Sequence, residues 1–230
     1  MKLKINPIKT FKLLILCILI FVTANCIVII AKINFEYYNK FIYEILNLDQ
    51  ETNLPTYFST LILFFSAFLL ALISFIHKKK NNKYMLWMIL SICFLFLSVD
   101  EFTSIHERIG DFLENEFKFI GALYFAWVIP YGIFAVVFAF IYFKYFLLKL
   151  PIKIRNLFII SGFIYVFGAI GFEMLGSMVV SDIQNPTETM ISTLYTIEET
   201  LEMLGIAFFI YTLLIYLQEE LNFTTNFKSN

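Results

Sequence analysis

Six carboxylates stand within or at the edge of segments that are otherwise apolar enough to cross a membrane. They are Asp100, Glu101, Glu173, Glu198, Glu199 and Glu202. Ionisable side chains are costly at membrane depth, and they usually face a bundle interior or a water-filled cavity where they serve a function. Arg108 is the one obvious basic neighbour. Acids without bases predict a site for protons, a metal ion or a cationic ligand.

The ligand types narrow the metals that such a site would bind. Carboxylate oxygens favour Mg²⁺, Ca²⁺, Mn²⁺ or Fe²⁺ over the metals that thiolates bind. The Glu-x-x-Glu spacing of Glu199 and Glu202 lacks the Glu-x-x-His pairs of di-iron bundles. Two histidines are too few for a three-histidine zinc site, and three cysteines in apolar runs argue against a disulfide framework. A divalent cation is therefore the cofactor to expect if the site holds a metal, while proton relay through the stacked acids, with no cofactor, is equally possible.

The composition places the chain among membrane proteins. Its 230 residues are 60% hydrophobic and only 15% charged, whereas soluble domains are about 45–50% apolar and about 25% charged. The formal net charge of −1 gives no reason to expect a nucleic-acid partner. The expected partners are the lipid bilayer and a small cation or lipid ligand.

Six apolar runs are long enough to span a bilayer, which takes roughly 20 residues. They cover about 13–31, 56–76, 84–107, 121–147, 156–180 and 192–217. No linker-like tract interrupts them and no internal repeat supports an inverted-repeat transporter. The sequence thus predicts an all-α polytopic membrane protein, folded as one domain over 1–230.

The distribution of charge predicts the orientation of the chain. Thirteen of the 17 basic residues fall at the two termini and in the loops around 78–83 and 144–155. Cytoplasmic loops of membrane proteins carry such an excess of lysine and arginine. We therefore expect both termini in the cytoplasm and the acids in the outer half of the bacterial plasma membrane.

Helical phase divides the candidates on the third run. At 100° per residue, Asp100, Glu101 and Glu107 share an arc of roughly 120°. In a regular helix, His106 points about 120° away from Asp100, so it is a secondary candidate together with Glu107. His106 can turn toward the acids only if the helix breaks near Thr103.

On the fifth run, Glu173 shares a predicted face with small residues at Gly162, Ala169, Gly176 and Ser177. Small residues let a neighbouring helix approach closely. This pattern predicts that Glu173 points into the bundle rather than at lipid.

On the sixth run, Glu198 and Glu202 lie one turn apart, and Gly205 continues their face. Glu199 lies about 100° round the helix and is a secondary candidate. Counted at 1.5 Å per residue, the acids of the three helices lie roughly 8–15 Å below the outer helix ends. On the fourth run, Pro130 is expected to kink the helix at a similar depth.

Four strings of the chain are similar to those of a group of membrane proteins. They are SVDE at 98–101, HE at 106–107, GFEMLG at 171–176 and EETLEMLG at 198–205. The chain resembles bacterial six-pass membrane proteins that have no assigned activity. This resemblance implies the six-helix architecture and transfers neither a function nor a site.

Three hypotheses about function follow. The first is an outward-facing acidic site that binds a cation or protons in transport or sensing. The second is a metal-dependent membrane enzyme acting on a lipid or lipid-linked substrate. Asp100 or His106 would be its proton-transfer group, and its metal ligands would be Glu101, Glu173, Glu198 and Glu202. The third is a structural or interaction protein in which the acids only tie helices together.

Overall fold

The structure is a computed structural model that describes residues 2–3, 5–35, 39–221 and 225–226. Within these residues the chain forms a succession of α-helices. They are α1 (Pro7–Phe35), α2 (Lys40–Leu46), α3 (Leu54–Lys79), α4 (Met85–Thr103), α5 (Ile105–Glu116), α6 (Val128–Tyr145), α7 (Ile152–Val166), α8 (Glu173–Asp182) and α9 (Glu188–Ile215). A π-helical turn, Phe167–Phe172, joins α7 to α8, and another, Tyr216–Glu220, extends α9.

Six helical segments are long and apolar enough to cross a membrane. They are Pro7–Phe35, Leu54–Lys79, Met85–Thr103, Val128–Lys149, Ile152–Asp182 and Glu188–Glu220. The predicted number of spans is confirmed, and the all-helical chain fits a multi-pass membrane protein. Several predicted bounds are wrong: the third span ends at Thr103 rather than 107, the fourth begins at Val128 rather than 121, and the first and sixth begin at Pro7 and Glu188 rather than 13 and 192.

Helix α9 lies at the centre of the bundle. It packs against α1, α3 and α7, and its side chains Met203, Ile210 and Leu213 are almost fully buried. The surrounding helices instead expose large apolar side chains, such as Phe140 at 71%. A helix that is apolar on all sides belongs in a core, and apolar outer faces suit contact with lipid.

The two ends of the chain meet. Strand β1 (Lys2–Leu3) pairs antiparallel with β2 (Thr225–Asn226), with Lys2 opposite Asn226. An even number of spans also returns the chain to the side from which it started. The two strands therefore lie on the same side of the bundle, while the placement of both termini in the cytoplasm stays a prediction.

Glycines bring the fifth span close to α9. A Cβ atom placed on Gly168 would lie 3.1 Å from the carbonyl oxygen of Glu198 and 3.1 Å from the backbone nitrogen of Glu202. One placed on Gly205 would lie 2.6 Å from the backbone nitrogen of Tyr165. The backbones thus touch on both sides of the glutamates, as small residues at helix contacts allow.

The predicted role of Gly162 is wrong. No described atom lies within 4 Å of a Cβ built at Gly162, so this residue does not share the interior face of Glu173. The π-helical turn lies between the two positions. A π turn bonds residue i to i+5 rather than i+4, and the extra residue rotates everything before the turn relative to everything after it.

Gly205 and Gly162 give a matched pair of substitutions. Gly205→Ala is expected to destabilise the protein by about 1–3 kcal/mol, because the new methyl group overlaps the backbone at Tyr165. Gly162→Ala is expected to be neutral or to stabilise by up to about 1 kcal/mol, because alanine favours the helix and meets no neighbour. Thermal unfolding in detergent measures both, and equal effects would contradict the close contact.

Candidate functional site

The third span ends in a backbone break at Ser104. This residue adopts a left-handed conformation, with φ 52° and ψ 46°, between the last residue of α4 and the first of α5. A non-glycine residue in this region is uncommon and marks a constrained position. The regular helix through 107 is therefore wrong, and the break turns His106 back toward Asp100.

Asp100 is the buried anchor of this turn, with 5% of its surface exposed. Its Oδ1 accepts hydrogen bonds from the backbone nitrogen of His106 at 2.9 Å and from the hydroxyl of Tyr131 at 3.0 Å. Its Oδ2 lies 3.4 Å from His106 Nδ1. Asp100 thus satisfies a free N–H at the start of α5 and holds the imidazole at the same time.

The charge of His106 follows from its acidic surroundings. Burial alone lowers the pKa of His106, but the hydrogen bond and charge of Asp100, with the charges of Glu202 and Glu101, outweigh it and raise the pKa to about 9. The imidazole also packs against Trp127, with ring centroids 4.9 Å apart. The surrounding acids thus favour the protonated, positively charged form of His106.

A buried polar network fixes the segment 47–53 over this end of the bundle. Asn25, fully buried on α1, donates to the Thr196 hydroxyl at 2.9 Å and accepts from the backbone nitrogen of Leu48 at 3.1 Å. Asn53 donates to the carbonyl oxygen of Asn47 at 2.6 Å. These bonds hold a tight turn that ends in an N-cap for α3.

The fixed turn brings Glu51 to His106. One ligand atom each of Glu51, His106 and Glu107 lie within 4.8 Å of one another; we call these three residues the outer site. Burial, and then the charge of Glu107, raise the pKa of Glu51. Its buried Oε2 has no hydrogen-bond partner among the described residues. Glu51 is not predicted from the sequence, because it lies in a loop and depends on Asn25 for its position.

Five carboxylates lie deeper than the outer site. These inner acids are Glu101, Glu173, Glu198, Glu199 and Glu202, and their charges interact with one another and with those of Asp100 and His106. Helix α9 begins at Glu188, four residues before the predicted start. Glu198 and Glu202 therefore lie about 15 and 21 Å along it, deeper than predicted.

The side chains of the inner acids differ in their partners. Glu173 accepts a hydrogen bond from Trp127 Nε1 at 2.7 Å and contacts the carboxyl group of Glu198. The charge of Glu199 interacts most strongly with that of Glu202 and next with that of Glu101. The structure thus brings all six predicted carboxylates together with His106 and Glu107, whereas Arg108 is exposed at the surface.

The predicted kink at Pro130 is wrong. Helix α6 begins at Val128, so Pro130 lies in its first turn, where the missing N–H leaves no bond unmade. The carbonyl oxygen of Ala126 accepts a hydrogen bond from the backbone nitrogen of Ile129 at 3.1 Å. Pro130 therefore does not leave this oxygen without a hydrogen bond.

The chain before α6 covers the acids as an ordered strap, residues 117–127. Its backbone nitrogens at Gly121 and Phe125 donate to Ser181 Oγ at 2.8 Å and Ser177 Oγ at 3.1 Å, both on α8. Hydrogen bonds between side chains and the backbone thus fix both the segment 47–53 and this strap. The predicted interior position of Ser177 agrees with its complete burial.

A family model described as a domain of unknown function, DUF8692, matches residues 13–216. The chain belongs to this family. No curated protein and no solved structure is similar to it. The match includes the outer site, Asp100 and all inner acids, so in this DUF8692 chain the acidic residues are part of the family domain. The resemblance to a particular group of six-pass proteins stays a prediction.

Asn25 offers a test of how the outer turn is held. Asn25→Leu removes two buried hydrogen bonds and leaves the Leu48 N–H and Thr196 without their partner, so we expect a loss of about 2–4 kcal/mol of unfolding free energy. Chemical or thermal unfolding in detergent measures it. Cys26→Ala, at the exposed neighbouring position, is the control and should change little. A neutral Asn25→Leu would show that the turn is held by other contacts.

Proposed function

We propose that this protein binds a divalent cation at the outer site and that it works in cation transport or sensing at the outer face of the plasma membrane. Both termini then lie in the cytoplasm, as the excess of basic residues on their side indicates. The cation enters from the outside, where the outer site lies at the acidic end of the bundle.

The observation that carries this proposal is the pairing of three converging ligands with a supported histidine. Glu51, His106 and Glu107 offer ligand atoms within 4.8 Å of one another, while Asp100 Oδ2 lies 3.4 Å from Nδ1 of the same imidazole. Metal-binding histidines almost always donate their second ring N–H to a carboxylate or carbonyl in this way. One imidazole with two carboxylates suits Mn²⁺, Fe²⁺ or Zn²⁺ better than Mg²⁺ or Ca²⁺.

The charges around the outer site also favour a cation. The basic side chain that the structure places among the acids is His106. The ion pairs that it shows for lysines go instead to Glu44, Glu188 and Glu219, away from this centre. Like charges at short range raise the free energy of the ionised acids, and a bound divalent cation relieves that repulsion.

A metal-dependent enzyme is the second candidate, because two observations favour it. Three protein ligands leave coordination positions open for water and substrate, as in catalytic metal sites. An apolar groove of about 600 Å³ between α8 and α9 offers room for a lipid chain. Its lining residues are Leu175, Met178, Val179, Thr187, Thr189, Met190, Thr193 and Leu194. Hydrolysis of phospholipid vesicles by the Mn²⁺-loaded protein would favour the enzyme, and binding without turnover would favour transport or sensing.

Binding of Mn²⁺ to the purified, chelator-treated protein tests the outer site directly. We expect His106→Gln to weaken binding at this site at least about tenfold and Asp100→Asn to weaken it about 10–100-fold, since second-shell partners of metal ligands have effects of that size. Isothermal titration calorimetry in detergent measures the affinities.

The control for this experiment is Glu116→Gln, which removes an exposed acid from the same helix as His106 and should leave binding unchanged. Quenching of Trp127 fluorescence in a Trp87→Phe background gives a second readout, because the Trp127 ring contacts His106. A wild-type protein that binds no Mn²⁺, or a His106→Gln variant that binds it as well as wild type at every site, would refute the proposal.

The orientation has its own test. In a background with the three cysteines replaced, Lys118→Cys should react with a membrane-impermeant maleimide added to intact cells, whereas Lys80→Cys should react only after the cells are opened. Both positions are exposed and lie at opposite ends of the bundle. Labelling in the reverse pattern would place the acids on the cytoplasmic side.

A further inference from the structure

A small, partly open cavity lies in the bundle beneath the outer site. It has a volume of about 10 Å³ and is formed by α3, α4, α7 and α9. Its lining residues are Ser59, Ile62, Leu63, Glu101, Tyr165, Glu202, Met203 and Ile206. A cavity of this size holds a single water-sized particle.

Four of the lining side chains carry oxygen atoms, and among the described residues none of the four has a hydrogen-bond partner. In the part of the chain that the structure describes, the side chains of Ser59, Glu101, Tyr165 and Glu202 make no hydrogen bond. The side chain of Ser59 is nevertheless buried, with 8% of the residue exposed, and Glu101 and Glu202 are half-buried. Buried polar groups without a hydrogen-bond partner are unfavourable, so the cavity calls for an occupant.

The rest of the lining closes the cavity toward the opposite side of the membrane. Ile62 and Leu63 follow Ser59 by about one turn of α3, and Met203 and Ile206 follow Glu202 along α9. Below them lies the buried apolar core. On the other side, the charge of Glu101 interacts with those of Glu51, His106 and Glu107. The cavity therefore adjoins the outer site.

We infer that Glu101 and Glu202 form a second, inner cation site that takes one divalent cation, with the hydroxyl groups of Ser59 and Tyr165 as further ligands. Two carboxylates balance the charge of one such ion. Four oxygen donors without nitrogen or sulfur suit Mn²⁺ or Mg²⁺. The inference deepens the proposed function and rests on it, since the inner site receives its ion through the outer one.

A competing occupant is one water molecule that bridges two protonated carboxyl groups. It satisfies the same oxygen atoms and fits the same volume, but it binds no metal. The number of metal ions bound per chain therefore separates the two.

The experiment counts Mn²⁺ bound to the purified full chain in detergent, by equilibrium dialysis with electron paramagnetic resonance of the free ion. Wild type and the Glu116→Gln control should bind two ions. Glu202→Gln, Glu101→Gln and His106→Gln should each bind one, and Glu202→Gln combined with His106→Gln should bind none.

The alternatives give different counts. One ion that is lost in His106→Gln and kept in Glu202→Gln overturns the inner site and leaves the proposed function standing. One ion that is lost only in Glu202→Gln supports the inner site and refutes the outer one. No bound ion refutes both.

A milder variant guards against misfolding of the glutamine variants. Ser59→Ala removes a single hydroxyl group. It should weaken the binding of one of the two ions about tenfold while leaving the binding of the other unchanged. Two ions of unaltered affinity in this folded variant, with two also in Glu202→Gln, would show that the cavity holds water only.

Discussion

Carboxylates within an apolar bundle need hydrogen-bond partners or opposite charges. The other features of this structure depend on this constraint. Asp100 meets it completely, because it accepts a backbone N–H, a tyrosine hydroxyl and the approach of an imidazole. Those three partners come from α5 and α6, so the same carboxylate ties α4 to both helices. The left-handed residue Ser104 makes this possible, and the strain at that residue is offset by the bonds that Asp100 gains.

The inner acids meet the constraint only in part. Glu173 has the indole of Trp127 and the carboxyl group of Glu198 as partners, whereas Glu101 and Glu202 face a cavity. Their position is set by backbone contact, since Gly168 and Gly205 let the fifth span touch α9 on either side of the glutamates. Packing thus holds the acids together although their charges repel, and this stored repulsion is what a cation would release.

Much of this arrangement could be predicted from the sequence, because apolar run length and the rarity of acids at membrane depth are strong signals. The missed features arise from tertiary structure. No glycine or proline marks the break at Ser104, so a regular helix placed His106 on the wrong side. The π turn before Glu173 shifted the helical phase and gave Gly162 a role that Gly168 has. Glu51 depends on Asn25, and an asparagine buried in an apolar helix is a signal that could have pointed to it.

The outer site and the proposed inner site together suit movement or sensing of an ion better than catalysis. A catalytic metal needs open coordination positions and room for a substrate beside it. The outer site can offer both, but the inner cavity holds one particle and ends on Ile62, Leu63 and Met203. An ion in the proposed inner site would meet these apolar side chains, and its further passage would require that α9 shift against the fifth span. The π turn lies at that contact, and such turns accommodate an extra residue without breaking the helix. For the proposed transport, a site that is closed below and open to acids above would be one state of a gated path.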